Sequence, residues 1–389
     1  MDITVYPGKL SGTIPAIPSK SQAHRVLICA AFSDGPTTIY CRETNQDIEA
    51  TARCLRALGA DIQRTDVGYH VIPVKTLPQT ATLDCGESGS TLRFMLPVAA
   101  ALGVQTTFIM YGRLPCRPLS PLWEELERMG CRLTRPAENT IHCSGKLHSG
   151  AYSIDGSVSS QFITGLLFAI ALIPCASTLE ITGNIESAPY IHMTQDVLRT
   201  FGNHAPFHTP GVVHIEGDWS NAAFFLSANT LGSKITLSGL NERSPQGDRA
   251  VVNILKSFET HQTVDASDIP DLVPILAVAA SYCHGAKFTN VRRLRLKESD
   301  RVQSTANLLQ SLGAEVLISH NELEVKPAVF HSGTVDSVGD HRIAMAAAVA
   351  ATVATGPVTI LGAECVAKSY PGFWDDFRKL GGNYEQYIR

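Results

Sequence analysis

The sequence predicts an α/β fold of two domains, each assembled from three copies of a unit of two helices and about four strands. Three observations carry this expectation. An amphipathic helix ending in Leu-x-x-φ-Gly recurs along the chain. A second, apolar helix recurs in step with it. Strand-like segments fill the gaps between them.

The amphipathic helices are LRALGADI, LERMGCRL, LRTFGNHA, LLQSLGAEV and FRKLGGNY, with glycine at 59, 130, 202, 313 and 381. A sixth, degenerate copy, LKSFETHQ, has Glu259 at the glycine position. The spacings are 71, 72, 57, 54 and 68 residues. Glycine just past a helix end supplies a left-handed cap, so each copy marks a helix stop before a strand. The apolar helices are HRVLICAAF, TLRFMLPVAAALG, QFITGLLFAIAL, NAAFFLSANTLG, DLVPILAVAASYC and HRIAMAAAVAA. They begin near residues 22, 91, 161, 220, 271 and 341. A helix apolar nearly all round is buried on all sides. TTFIMYG, SKITLSG and PVTILGA alternate or carry β-branched residues and read as strands. One copy is too small to close a core, so three pack into a domain with the apolar helices inside and the sheets outside.

Composition excludes some functions. The 389 residues are 44% hydrophobic and 17% charged, with a net charge of −4. That balance is not the cationic excess of a nucleic-acid binder. Ten cysteines stand at irregular spacings without a CxxC pair, which reads as buried reduced thiols. MDITVYPGKL is not a signal peptide, and no apolar run is long enough to span a bilayer, so a cytoplasmic protein is expected. His204, His208 and His214 lie close in sequence but lack zinc-site spacing; a polar hairpin is expected there.

The starts of the apolar helices hold the polar residues: PSKSQAHR, CGESGSTLR, GSVSSQ, EGDWSN, SDIPD and VGDHR. Capping accounts for Ser and Asp but not for Lys20, Arg25, Arg93 and Arg342. Helix N-termini with added cations suit anions. The chain has no GxGxxG, no GxxxxGK[ST] and no GxSxG. The remaining motifs are RLPCRP, LKESDR and AKSYP. In RRLRLKESDRV (292–302), Glu298 and Asp300 are wedged among Lys297, Arg301 and further arginines, and the first arginines read as a solvated strand.

PSKSQAHR, GESGSTLR, CRP, GSVSSQF, IPD, LRLKESDR, GDHRIAM and AKSYPGF, in this order and over essentially the whole chain, resemble the enolpyruvyl transferase family, in its shikimate 3-phosphate branch. The resemblance implies a two-domain inside-out α/β barrel of six βαβαββ repeats, three per domain, with buried parallel helices. It implies a discontinuous domain, 1–18 plus 219–389, and an inserted domain, 19–218, with the active site in the cleft between them. It implies enolpyruvyl transfer from phosphoenolpyruvate to the 5-hydroxyl of shikimate 3-phosphate, with no metal and no cofactor. The partners expected are these two small molecules, no nucleic acid and no membrane, and a monomer is expected. The domains are expected to close on shikimate 3-phosphate.

By the same resemblance, Lys20, Gly89, Arg117, Gln161, Arg301, Arg342 and Lys368 form the phosphoenolpyruvate site. Ser21, Arg25, Ser159, Ser160, Gln161, Ser187, Tyr190, Asp271 and Lys297 form the shikimate 3-phosphate site. Asp271, Glu298 and Lys20 are the catalytic candidates, and His341 is a further proton carrier. Asp300 is assigned a structural role, capping a helix or orienting an arginine.

Three positions depart from the family pattern. Glu87-Ser88-Gly89-Ser90 stands where many members have Asn or Ala around GN-x-GT, so Glu87 needs an arginine such as Arg93. Phe94 replaces proline or leucine, which leaves sensitivity to glyphosate open. Arg293 replaces an asparagine that contacts shikimate. The alternative branch, acting on UDP-N-acetylglucosamine, carries a reactive cysteine a few residues before an arginine, whereas Cys116 directly precedes Arg117. RNA 3′-phosphate cyclases carry a histidine motif near the C-terminus that this chain lacks. A non-catalytic anion binder of the same fold gains nothing from two added carboxylates.

Overall fold

The computed structural model describes residues 1–387. The chain divides into two compact units: residues 1–17 with 217 onward, the discontinuous unit, and Pro18–Glu216, the inserted unit. Each has its own apolar core.

The inserted unit holds α1 (Lys20–Ala31), α2 (Gln46–Ala57), α3 (Gly89–Leu102), α4 (Leu122–Arg128), α5 (Ser160–Leu172) and α6 (Ala188–Thr200). The discontinuous unit holds α7 (Trp219–Thr230), α8 (Val251–Ser257), α9 (Val273–Tyr282), α10 (Arg301–Ser311), α11 (His341–Ala351) and α12 (Phe373–Lys379). Odd-numbered helices are the apolar family and even-numbered ones the amphipathic family. All of α11 is buried, as is α9 except Tyr282. All five glycines that follow amphipathic helices have φ between +90° and +112°. That region is costly for a residue with a Cβ, so the repeated glycine is indeed a helix stop.

Five of the six apolar helices start at a side-chain cap. Ser19, Ser88, Ser159, Asp218 and Asp340 accept the backbone N–H of Gln22, Thr91, Gln161, Asn221 and Arg342. α9 is the exception: it starts after Leu272 with a proline in its first turn and no side-chain cap. The carboxylate of Asp271 is therefore left to other partners.

Four sheets show the full repeat. Thr80–Asp84 and Gln105–Ile109 are parallel, joined through α3. The hairpin Cys131–Ala137/Thr140–Gly145 then adds antiparallel, its second strand against Gln105–Ile109. Gln262–Asp265, Ala286–Thr289, Val316–Ile318 and Glu322–Val325 repeat this arrangement. The other two sheets borrow a strand from a distant part of the unit. Asp2–Tyr6 pairs with Val358–Leu361 and Asn383–Tyr387, and Val212–His214 runs parallel to Thr37–Tyr40.

Two repeats depart from the expected four strands. Among the described residues, Ala151–Asp155 pairs only with Thr178–Thr182, Ser11–Pro15 pairs only with Lys234–Ser238, and no hairpin follows α6 or α8. The chain runs directly into the first strand of the next unit, at Val212 and at Gln262. These are the intervals with the short spacings of 57 and 54 residues. In one case the open edge is guarded: the Asn229 amide donates to the Ile235 carbonyl at 2.8 Å and accepts its N–H at 2.7 Å. An unpaired edge would otherwise invite another strand.

Two local expectations are corrected. Arg292–Leu296 is a 3₁₀ turn rather than a strand. Asn290, at φ +58°, stops the strand before it, and the Asn321 side chain accepts the Arg292 N–H at 3.2 Å. The histidine segment is not a hairpin either. His214 ends a single strand and stacks on Tyr40 at 4.3 Å, and His208 Nδ1 lies 2.8 Å from Asp34.

The inserted unit shows how closely the apolar helices approach. A Cβ at Gly165 of α5 would lie 2.2 Å from the Arg93 carbonyl of α3. Glycine there lets α5 settle onto α3, which brings Gln161 at the start of α5 beside Arg93.

Candidate active site

The discontinuous unit gathers its charged candidates around Arg301. This guanidinium is 1% exposed. Nη1–H donates to Asp271 Oδ1 at 2.7 Å, Nη2–H to Glu298 Oε2 at 2.6 Å, and Nε–H to Asp340 Oδ2 at 2.9 Å. Burial disfavours the charge, but the three carboxylates outweigh it and raise the guanidinium pKa further. Asp340 is fully buried, which alone would push its carboxyl up; Arg301 reverses this and holds it below the usual carboxylate range. Asp340 also accepts from Ser299 Oγ at 2.9 Å and caps α11.

Asp271 and Glu298 differ from Asp340 in access. Their side chains remain 23% and 24% exposed. Asp271 is surrounded by three cations: Arg301, Lys297 Nζ at 3.4 Å and Arg342 Nη2 at 3.4 Å. Burial lowers the Lys297 pKa to about 8; Asp271 resists the shift and Arg301 adds to it. Arg342 also donates to the Ser220 carbonyl at 3.0 Å. Lys368 Nζ donates to the Gly339 carbonyl at 2.9 Å, one residue before Asp340. His341 is buried in the first turn of α11, and Arg293 lies half-buried in the 3₁₀ turn. Asp300 both caps α10 through Gln303 N–H and pairs with Arg295 at 3.0 Å.

In the inserted unit the candidates form three groups. Lys20 Nζ lies 2.8 Å from Asp47 Oδ2. Arg25 is buried and donates to the Thr194 and Thr164 hydroxyls and to the Ser21 and Tyr190 carbonyls, at 2.6–3.2 Å. None of these four partners is a carboxylate. Burial lowers the Arg25 pKa to about 10, so it keeps its charge at neutral pH. In the third group, Arg93 Nη1–H donates to Gln161 Oε1 at 2.6 Å and Gln161 Nε2–H to Ser90 Oγ at 2.9 Å. Gly89 belongs here, since a Cβ on it would lie 2.6 Å from Arg117 Nη1. Arg93 also donates to the Pro118 carbonyl at 3.1 Å. The Glu87 carboxylate packs against Gly112. Ser159 and Ser160 begin α5, and Ser187, at φ +57°, precedes α6. Phe94 is buried with the Arg25 guanidinium 5.2 Å from its ring centre.

Three carboxylates were missed from sequence. Asp340 sits in the GDHR motif, where nothing local marks it as a partner of Arg301. Asp47 was hidden in an ordinary helix start. Asp248, in QGDR, is buried and bonded to Ser220 Oγ. Burial first, then the charge of Asp271, pushes its pKa up to about 7 against the pull of Arg342. An acidic residue beside an arginine in a Gly-containing loop was the available signal.

Known proteins of the same kind cover the whole chain. A relative from Clostridium kluyveri, 3-phosphoshikimate 1-carboxyvinyltransferase, is 40% identical over 424 aligned positions, covering 99% of this chain and 98% of its own. A protein of that name from Clostridium botulinum (strain Eklund 17B) is 37% identical, with 98% of each chain covered. Among solved structures, EPSP synthase from Acinetobacter baumannii superposes with a TM-score of 0.79 at 22% identity, covering 99% of this chain and 100% of that one. The enolpyruvyl transferase NikO from Streptomyces tendae gives 0.77 at 17%, covering 100% and 99%. At these identities the structures bear on the fold, which is the two-domain enolpyruvyl transferase architecture. The family profile of EPSP synthase (3-phosphoshikimate 1-carboxyvinyltransferase) matches residues 5–264 and 256–377, and with the full-length relatives it places this chain in that family.

Proposed function

We propose that this chain transfers the enolpyruvyl group of phosphoenolpyruvate to the 5-hydroxyl of shikimate 3-phosphate and releases phosphate, a step of aromatic amino acid biosynthesis. The observation that carries this reading is the pairing of Asp271 and Glu298 on the two Nη atoms of one buried arginine, each carboxylate still partly exposed. A site that only bound anions would gain nothing from them. Family membership names the reaction that needs them.

The reaction asks for two proton transfers beside an anionic intermediate. The 5-oxygen bonds to C2 of phosphoenolpyruvate as its proton leaves, and the C3 methylene gains a proton to become methyl. The tetrahedral adduct then loses a methyl proton as the C2–O bond to phosphate breaks. Asp271, whose side chain stays 23% exposed, takes the hydroxyl proton. Glu298 moves the methyl proton, and Lys20 is a second candidate for that step. Arg301, Arg342, Lys368, Lys20, Arg117 and Gln161, beside Gly89, bind phosphoenolpyruvate. Arginine forks match carboxylate and phosphate oxygens better than point charges do. Ser21, Arg25, Ser159, Ser160, Ser187, Tyr190, Lys297 and Gln161 bind shikimate 3-phosphate. The buried Arg25, bonded to four neutral oxygens, supplies charge that a phosphate would neutralise.

A phosphate-release assay with phosphoenolpyruvate and either shikimate 3-phosphate or UDP-N-acetylglucosamine tests the reading. Release with the first acceptor alone is expected. Release only with the second would assign the chain to the other branch of the family's chemistry.

A further inference from the structure

A buried polar chain in the inserted unit ties α1 and α2 to the start of α3, where Gly89 stands. His24 Nδ1 lies 2.7 Å from Thr51 Oγ1, and Thr51 Oγ1 lies 2.7 Å from Thr91 Oγ1. Thr91 Oγ1–H donates to Ser88 Oγ at 2.8 Å, and the same proton reaches the Asp47 carbonyl at 3.4 Å. Ser88 Oγ also accepts the Thr91 N–H at 3.2 Å, as the cap of α3. All four side chains are buried, at no more than 1% exposure.

The direction of the chain follows from its outer end. Thr91 Oγ1 directs its single proton to Ser88 and the Asp47 carbonyl, so its short contact with Thr51 uses the Thr51 proton, and Thr51 accepts from the imidazole. Among the described residues, His24 Nε2 is buried with no hydrogen-bond partner. The imidazole therefore carries its proton on Nδ1. It donates to Thr51, Thr51 donates to Thr91, and Thr91 donates to Ser88. Burial and the nearby Lys20 and Arg25 lower the ring's pKa and keep it neutral, so Nε2 carries no proton.

We infer that His24, Thr51 and Thr91 are positioning residues that set the first turn of α3 through the Ser88 cap, and through it the affinity for phosphoenolpyruvate. This rests on the assignment of Gly89, Arg117, Gln161 and Lys20 to that substrate. The outer end of the chain touches two places that matter for it. Ser88 immediately precedes Gly89 and Ser90, and Ser90 holds the Gln161 amide. Asp47, whose carbonyl Thr91 reaches, holds Lys20 at 2.8 Å. Edge-on contact of His24 with Phe94, 6.2 Å between ring centres, gives α1 a second hold on α3. Buried hydroxyl chains have few alternative arrangements, so removing a middle member loosens both neighbours.

Thr51→Val keeps the shape and deletes the middle hydroxyl, and Thr51→Ser restores it. In the phosphate-release assay, Thr51→Val raises the phosphoenolpyruvate KM about tenfold, equivalent to ~1.4 kcal/mol. It leaves the KM for shikimate 3-phosphate within about twofold, and Thr51→Ser returns to the unmodified values. Without substrates, amide hydrogen exchange at Gly89–Thr91 accelerates in Thr51→Val more than at Gln161. Unchanged KM values, or two that rise together and are not rescued by serine, overturn the inference. If the unmodified protein shows no turnover with shikimate 3-phosphate, the functional reading fails instead. Exchange then decides the relay alone, and equal exchange at the two helix starts overturns it.

Discussion

Arg301 Nε donates to Asp340 Oδ2 at 2.9 Å, and neither side chain exposes more than 1% of its surface. Two charges this deep are stable only as partners. Asp340→Ala leaves Arg301 Nε without its partner, with Asp271 and Glu298 still on the two Nη atoms, and removes the cap of α11 as well. A loss of about 2–3 kcal/mol is expected for the broken buried bond, with about 1 kcal/mol more for the cap. Asp340→Asn keeps the capping oxygen and loses less. Urea denaturation of the two variants should separate them in that order.

Glu298 shares the same arginine but keeps a quarter of its surface open. Glu298→Gln preserves the shape and an acceptor oxygen for Arg301 while removing the proton carrier. Phosphate release should fall about 10²- to 10⁴-fold with little change in melting temperature. Full turnover in this variant would remove Glu298 from the chemistry.

Asp248 should make stability depend on pH in an unusual sense. Its folded pKa, about 7, lies above the ordinary 3.8. Between these values the folded chain holds a proton that the unfolded chain has released. Stability therefore falls as pH rises from about 4 to about 7, then levels off. Asp248→Asn cannot titrate and should show a flatter dependence over that window in thermal melts. A variant with the same slope as the unmodified protein would place the titration elsewhere.

Lys297 should set an alkaline limit. With its pKa lowered to about 8, the ammonium is lost well below the usual lysine range. If it binds shikimate 3-phosphate, kcat/KM for that substrate should bend downward above pH about 8, by about tenfold per pH unit. A flat profile to pH 9.5 would separate Lys297 from substrate binding in the free protein.

Helices were legible because their signals are local. An apolar run, a Ser or Asp before it and a glycine after the amphipathic partner all lie within a few residues of the element they define. The missing hairpins were visible too, in the spacings of 57 and 54 residues, but a length difference has no meaning until the neighbouring repeats show what fills 68 to 72. The arginine-rich turn misled because Arg and Leu alternate as in a strand, while the stop at Asn290 depends on a side chain from Asn321. Lys297, Glu298 and Arg301 were legible as a motif. Their partners Asp271 and Asp340 lie 30 and 39 residues from Arg301, and no spacing rule announces such pairings. The same holds for His24, Thr51 and Thr91, three unremarkable residues until the helices bring their hydroxyls and imidazole into line.

The two repeats without hairpins show where chain length is negotiable. Both units nevertheless keep closed cores. The connections that replace the hairpins run through exposed residues, 202–204 after α6 and 259–261 after α8. Exposed connections of this kind accept inserted sequence most readily. For protein engineering these are two splice points, one per unit. A peptide tag or reporter domain grafted at either leaves the buried helices uncut.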